Sequence, residues 1–167
     1  MLFEAHRSAV LLYARRRVDR DAAADVVAET FLVAWRRLDA VPEDPLPWLY
    51  GVARKVVGNH RRALRRSQAL VDRLADARAT QAWAGSPEHE LGAADALRRA
   101  LAGLSDRDRE ALRLVAWEGL DAERAAVAAG CSRAAFAVRL HRARRRLAAA
   151  LDDDRPPALP MEVTREA

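Results

Sequence analysis

The sequence predicts an all-α protein of two small helical domains joined by a linker, the second built around a helix-turn-helix. Three observations predict it. The 167 residues are rich in Ala, Leu and Arg, with only 7 Gly and 7 Pro, a composition that favours helices. Apolar residues recur at three- and four-residue spacing, and no stretch alternates as a strand would. Between Leu120 and Arg146 a short apolar segment, a Gly-containing turn and a basic segment follow in succession. With aromatics at 5% and charged residues at 32%, any core is built mainly from Ala, Leu and Val.

The first helix is expected from Leu2 to Val18, with Phe3, Val10 and Tyr13 as apolar markers and Arg15, Arg16 and Arg17 opposing the negative end of the helix dipole. Asp19 and Asp21 then offer N-cap chemistry for a second helix. Its buried face is expected to carry Val27, Phe31, Ala34 or Trp35, and Leu38. The segment 39–47 holds Pro42, Pro45 and Pro47 and reads as a loop, because proline breaks a helix interior. A third helix is expected over 48–66, with Leu49, Val52, Val56 and Ala63 inward and Lys and Arg outward. Residues 67–92 read as a linker, with a possible short helix over 70–79 and a break at Gly85-Ser86-Pro87.

A second block begins at Ala93, where Leu97, Leu101 and Leu104 share a helical face. Ser105 opens the next helix, with Asp108 as an acidic variant of the capping box, and Gly119 is placed to end it. A short helix over 120–129 and a tight turn at Gly130-Cys131-Ser132 lead into a long helix over 133–151. Phe136, Leu140, Ala143, Leu147 and Leu151 form its inner stripe. The remaining 152–167 contains three prolines and reads as an acidic, disordered tail. The domain plan is therefore 1–66, linker 67–92, 93–151 and tail 152–167.

The net charge of +5 is unevenly placed. The tail carries five acids and two Arg, leaving 27 basic against 19 acidic residues, or +8, in the rest. The stretches 54–66 and 133–146 each hold six Lys or Arg and no acid. One such run is as well explained by a solvated helix face; two, on amphipathic helices, point to a polyanion whose counterions are released on binding. The single thiol, Cys131, allows no intrachain disulfide and fits a reducing cytoplasm. No segment approaches a membrane span, and the start of the chain lacks a signal-peptide plan. His6, His60, His89 and His141 are scattered without zinc spacing, and no glycine-rich phosphate loop is present. No cofactor and no enzymatic activity are expected, and Cys131 is expected to pack rather than react.

The short helix, Gly130 turn and basic helix are the helix-turn-helix plan, in which the second helix enters a major groove and later Arg side chains reach phosphates. Leu104 to Leu114, 120–129 and Arg139-Leu140-His141-Arg142-Ala143-Arg144-Arg145-Arg146-Leu147 together resemble the C-terminal domain of extracytoplasmic-function sigma factors of the bacterial sigma-70 family. The first half independently resembles the other domain of that family. Asp25-Val26-Val27-Ala28-Glu29-Thr30-Phe31-Leu32-Val33-Ala34-Trp35 looks like its polymerase-docking helix, and Pro47-Trp48-Leu49-Tyr50-Gly51-Val52-Ala53-Arg54-Lys55 like its minus-ten-binding helix.

The resemblance implies a sigma factor that directs core RNA polymerase to specific promoters, with promoter DNA and an anti-sigma factor as further partners and no membrane insertion. It implies that Asp25 and Glu29, i and i+4 on one helix face, meet basic residues on a coiled coil of the polymerase largest subunit. Lys55, Asn59, Arg61, Arg62, Arg65 and Arg66 would engage the opened minus-ten strand, with the loop 39–47 helping to form a base pocket. Trp48 and Tyr50 are candidates for stacking on bases, with core packing the favoured reading for Trp48. Arg133, Arg139, Arg142 and Arg145 would contact the minus-thirty-five element. Ala135, Ala137 and Val138 stand where the family commonly shows Thr, a basic residue and Ser, so readout there is biased to apolar contact and shape. Two other classes compete: a stand-alone helix-turn-helix regulator, which would need a dimer surface, and a module that binds an acidic protein. The tail is expected to fold weakly onto a basic helix.

Overall fold

The computed structural model describes residues 1–74 and 93–153. They form α1 (Leu2–Arg15), α2 (Arg20–Arg36), a 3-10 turn (Leu38–Ala40), α3 (Pro45–Leu74), α4 (Ala93–Ala102), α5 (Asp106–Ala116), α6 (Ala122–Ala129) and α7 (Arg133–Asp153), with no strand among the described residues. None of these helices is long and apolar enough to cross a membrane.

Local chemistry sets most boundaries. Asp19 caps α2 by accepting from the Ala22 N–H at 2.8 Å, which satisfies one of the four unpaired donors of a helix start. Ser105 does the same for α5 through the Asp108 N–H at 3.1 Å. The reciprocal half of a capping box is not made, because the buried Asp108 carboxylate pairs with Arg146 of α7 instead. α1 ends three residues before the expected Val18. There Arg17 Nη1 donates back to the Tyr13 carbonyl at 2.9 Å and supplies the partner that a further turn would have given.

α3 departs most from expectation. It starts at Pro45, inside the segment read as a loop, and runs to Leu74, inside the segment read as linker. Pro45 and Pro47 occupy its first turn, where a missing N–H removes no intrahelical bond. At the other end nothing between Arg66 and Leu74 is a glycine or proline, so the helix has no chemical reason to stop. The rest of the linker, 75–92, and the tail beyond Asp153 lie outside the described residues.

α1, α2 and α3 pack together, as do α5, α6 and α7, and the two groups share one apolar core. Val10, Tyr13, Val26 and Leu49 of the first join Leu114, Ala125, Ala128 and Phe136 of the second. α3 lies directly on α6, and a Cβ on Gly51 would stand only 3.4 Å from the Ala128 carbonyl oxygen. Small residues on both sides permit this approach. Five residues expected inward are exposed: Phe3, Trp35, Leu38, Ala63 and Leu97. Ala34, two helical turns beyond Val27, takes the core position, and Trp35 is rotated about 100° away and stays 74% exposed.

Candidate nucleic-acid interface

The helix-turn-helix is built from three local devices. Asp121 caps α6 by accepting from the Glu123 and Arg124 N–H groups, both at 2.9 Å. Gly130 ends α6 at φ 66°, in the left-handed region. Ser132 accepts from the Ala135 N–H at 3.2 Å and starts α7. We expect Gly130→Ala to cost about 1–2 kcal/mol for the backbone conformation alone. The new Cβ would also meet Arg54 Nη2 at 3.1 Å, so urea denaturation should place the variant at or above that range.

α7 turns Phe136, Leu140 and Ala143 inward. Arg133, Arg142 and Arg145 are exposed on its outer side. Arg139 is half-buried, with Nη1 3.6 Å from Cys131 Sγ. Ala134, Ala135, Ala137 and Val138 are all exposed.

On α3, Lys55, Asn59, Arg62, Arg65 and Arg66 are exposed. Arg62 donates to Asn59 Oδ1, and Arg65 lies 3.9 Å from Asp106 at the start of α5. Arg61 is set apart from them: it is half-buried and donates to the Arg17 carbonyl at 2.7 Å. Tyr50 is not available to stack on a base. It is 4% exposed and stacks on Tyr13, ring centroids 4.9 Å apart. Trp48 is half-buried against the core. Asp44, in the proline-rich approach to α3, receives two hydrogen bonds from Arg124 of α6, at 2.8 and 3.1 Å.

Asp25 and Glu29 stand exposed one turn apart on α2, opposite the buried Val26, Val27 and Thr30, and neither makes an ion pair among the described residues. Leu32 and Trp35 continue the same exposed side. Among the described residues no three His, Cys, Asp or Glu side chains converge as metal ligands.

Two family models match the chain: Sigma-70 region 2 over residues 2–67, and Sigma-70, region 4 over residues 94–147. The RNA polymerase sigma factor NccH of Alcaligenes xylosoxydans xylosoxydans is 33% identical over 138 residues, covering 76% of this chain and 72% of that protein. The chain belongs to the sigma-70 family. Within it, this is a sigma factor of the extracytoplasmic-function group, which directs core RNA polymerase to promoters and supports initiation. Solved structures resemble it as well. The sigma factor RpoE of Bartonella quintana, in complex with the anti-sigma factor NepR, superposes with a TM-score of 0.61 at 26% identity, over 92% of this chain and 96% of that one. CnrH, in complex with the cytosolic domain of CnrY, gives 0.60 at 28% identity, over 92% and 87%.

The residue that sequence reasoning missed is Arg17. It comes from the sigma region 2 half and lies with its side chain 2% exposed between two carboxylates of region 4. Its Nε and Nη2 hold Glu110 at 2.9 and 3.1 Å, and its Nη1 holds Glu118 at 2.9 Å. Tyr13 donates to the same Glu110 at 2.7 Å, and the guanidinium lies 3.5 Å from the Tyr13 ring centroid. Burial works against the charge on Arg17, but the Tyr13 oxygen and the two carboxylates outweigh it and hold its pKa above the ordinary value. Arg54 adds a bond across the same interface, from Nε to the Ala128 carbonyl at 3.1 Å.

Arg113 has the opposite environment. Burial, then the nearby Arg17, push its pKa down to about 10, and its Nε is buried with no hydrogen-bond partner. A desolvated, under-partnered charge weakens a fold. We therefore expect Arg113→Met to leave stability unchanged or raise it by roughly 1 kcal/mol; a clear loss in thermal or urea unfolding would contradict this account.

Proposed function

We propose a division of labour within the sigma factor. Asp25 and Glu29 dock the basic coiled coil of the polymerase largest subunit. Lys55, Asn59, Arg61, Arg62, Arg65 and Arg66 follow the opened minus-ten strand, with Arg61 in a supporting place because its guanidinium is held by the chain itself. Arg133, Arg139, Arg142 and Arg145 hold the minus-thirty-five duplex. The promoter-opening unit is residues 1–66 and the upstream unit 93–151, joined by 67–92 and followed by the tail 152–167. The protein works in the cytoplasm without catalysis of its own and is restrained by an anti-sigma factor, as RpoE is seen with NepR.

The observation that carries this reading is the separation of charge. An exposed acidic pair on α2 suits a basic protein partner, while the exposed cations of α3 and α7 suit phosphate. Run-off transcription from a promoter library, with core polymerase and the full chain, tests it. Promoter-specific transcripts are expected. Tight duplex binding by the protein alone, with no transcripts, would instead make it a stand-alone regulator.

A further inference from the structure

We infer that the upstream promoter element is read through thymine methyl groups, by an apolar patch of Ala134, Ala135 and Val138 at the start of α7. This rests on the proposal that α7 lies in the major groove. The three residues fall in the first two turns of α7, the part that a helix-turn-helix presents to base edges. Val138 is one helical turn from both Ala134 and Ala135, so the three are contiguous. They do not serve the core, which α7 meets through Phe136, Leu140 and Ala143. All three are exposed, Val138 by 51%.

The surroundings select the partner. The patch lies in a groove of about 530 Å³ that Arg107, Arg139 and Arg142 also line, with Arg146 paired to Asp108 in the same lining. Apolar side chains ringed by guanidinium groups fit poorly against an apolar protein surface, which would desolvate the cations without pairing them. They fit a duplex major groove, where phosphates flank the base edges. Of the features a base pair shows there, all are hydrogen-bond donors or acceptors except the thymine methyl. Side chains without a donor or acceptor can recognise only that methyl. Arg142, one turn beyond Val138, supplies the donors that guanine O6 and N7 accept. The preferred upstream element therefore places thymine beside a guanine contact.

Holoenzyme reconstituted from core polymerase and the full chain tests this on a selected promoter, with each upstream thymine replaced in turn by deoxyuridine. Loss of a buried methyl should weaken binding about fourfold. Val138→Ala, an exposed change that should not disturb folding, should erase most of that penalty at the thymine it covers. A promoter that is bound equally well with deoxyuridine at every upstream position overturns the inference alone. An unsubstituted promoter that holoenzyme does not bind overturns the promoter-docking proposal and the inference with it.

Discussion

Asp25→Lys combined with Glu29→Lys is expected to reduce promoter-specific run-off transcription by about 100-fold or more. Each reversal replaces an attraction with a like-charge contact against a basic partner, a change that amounts to several kcal/mol at a docked interface, and roughly 2.7 kcal/mol suffices for 100-fold. The fold should not suffer. Both carboxylates are exposed and make no ion pair among the described residues, and surface changes of this kind move stability by about 0.5 kcal/mol or less. Circular dichroism and a melting curve run beside the transcription assay separate the two effects. Near-normal transcription by a well-folded double variant would remove α2 from the docking role.

Arg17→Ala is expected to destabilise the protein by about 3 kcal/mol, measured by urea denaturation, because it leaves the Glu110 carboxylate without its counter-charge and Glu118 with Arg16 alone, at 3.1 Å. Glu118 is 2% exposed and Glu110 16%, so water cannot readily take the place of the guanidinium. Such a loss is a large part of the roughly 5–15 kcal/mol that holds a domain folded. Arg17→Lys should recover only part of it, since an ammonium cannot reproduce the fork that grips Glu110 through two nitrogens. The triple change Arg17→Met, Glu110→Gln and Glu118→Gln should be milder than Arg17→Ala, because it removes both signs of charge together. A cost below about 1 kcal/mol for Arg17→Ala would mean that the cluster contributes little to joining the halves.

The helix plan was legible wherever local chemistry decides it. Asp19, Ser105, Gly130 and Ser132 act through neighbours within a few residues, so their capping and turning roles can be read along the chain. Two family motifs in order made the protein's class legible as well. Helix ends set by proline position were misread at α3, where Pro45 and Pro47 begin a helix that proline was expected to exclude. The choice between Ala34 and Trp35 for the core was open because adjacent positions straddle the edge of a helical stripe, and packing against α1 and α3 decides it. The contacts of Arg17 could not be read at all. The bonds that define its role span 93 and 101 residues, and an Arg at the end of a helix looks like a dipole partner until the second half of the chain is placed against it. The Gly51–Ala128 approach could not be read either, since the two residues lie in different halves of the chain and only the packed fold brings them together.

The crossing of α3 over α6 also bears on how the chain is made. Arg54 and the Ala128 carbonyl are 74 residues apart, and translation at about 5–20 residues per second separates their synthesis by roughly 4 to 15 s. During that interval the side of α3 that meets α6 has left the ribosome while only α1 and α2 can pack against the helix. Truncated or stalled translation products ending before α6 would keep that apolar side open, which makes them natural clients for chaperones and proteases rather than dormant sigma fragments.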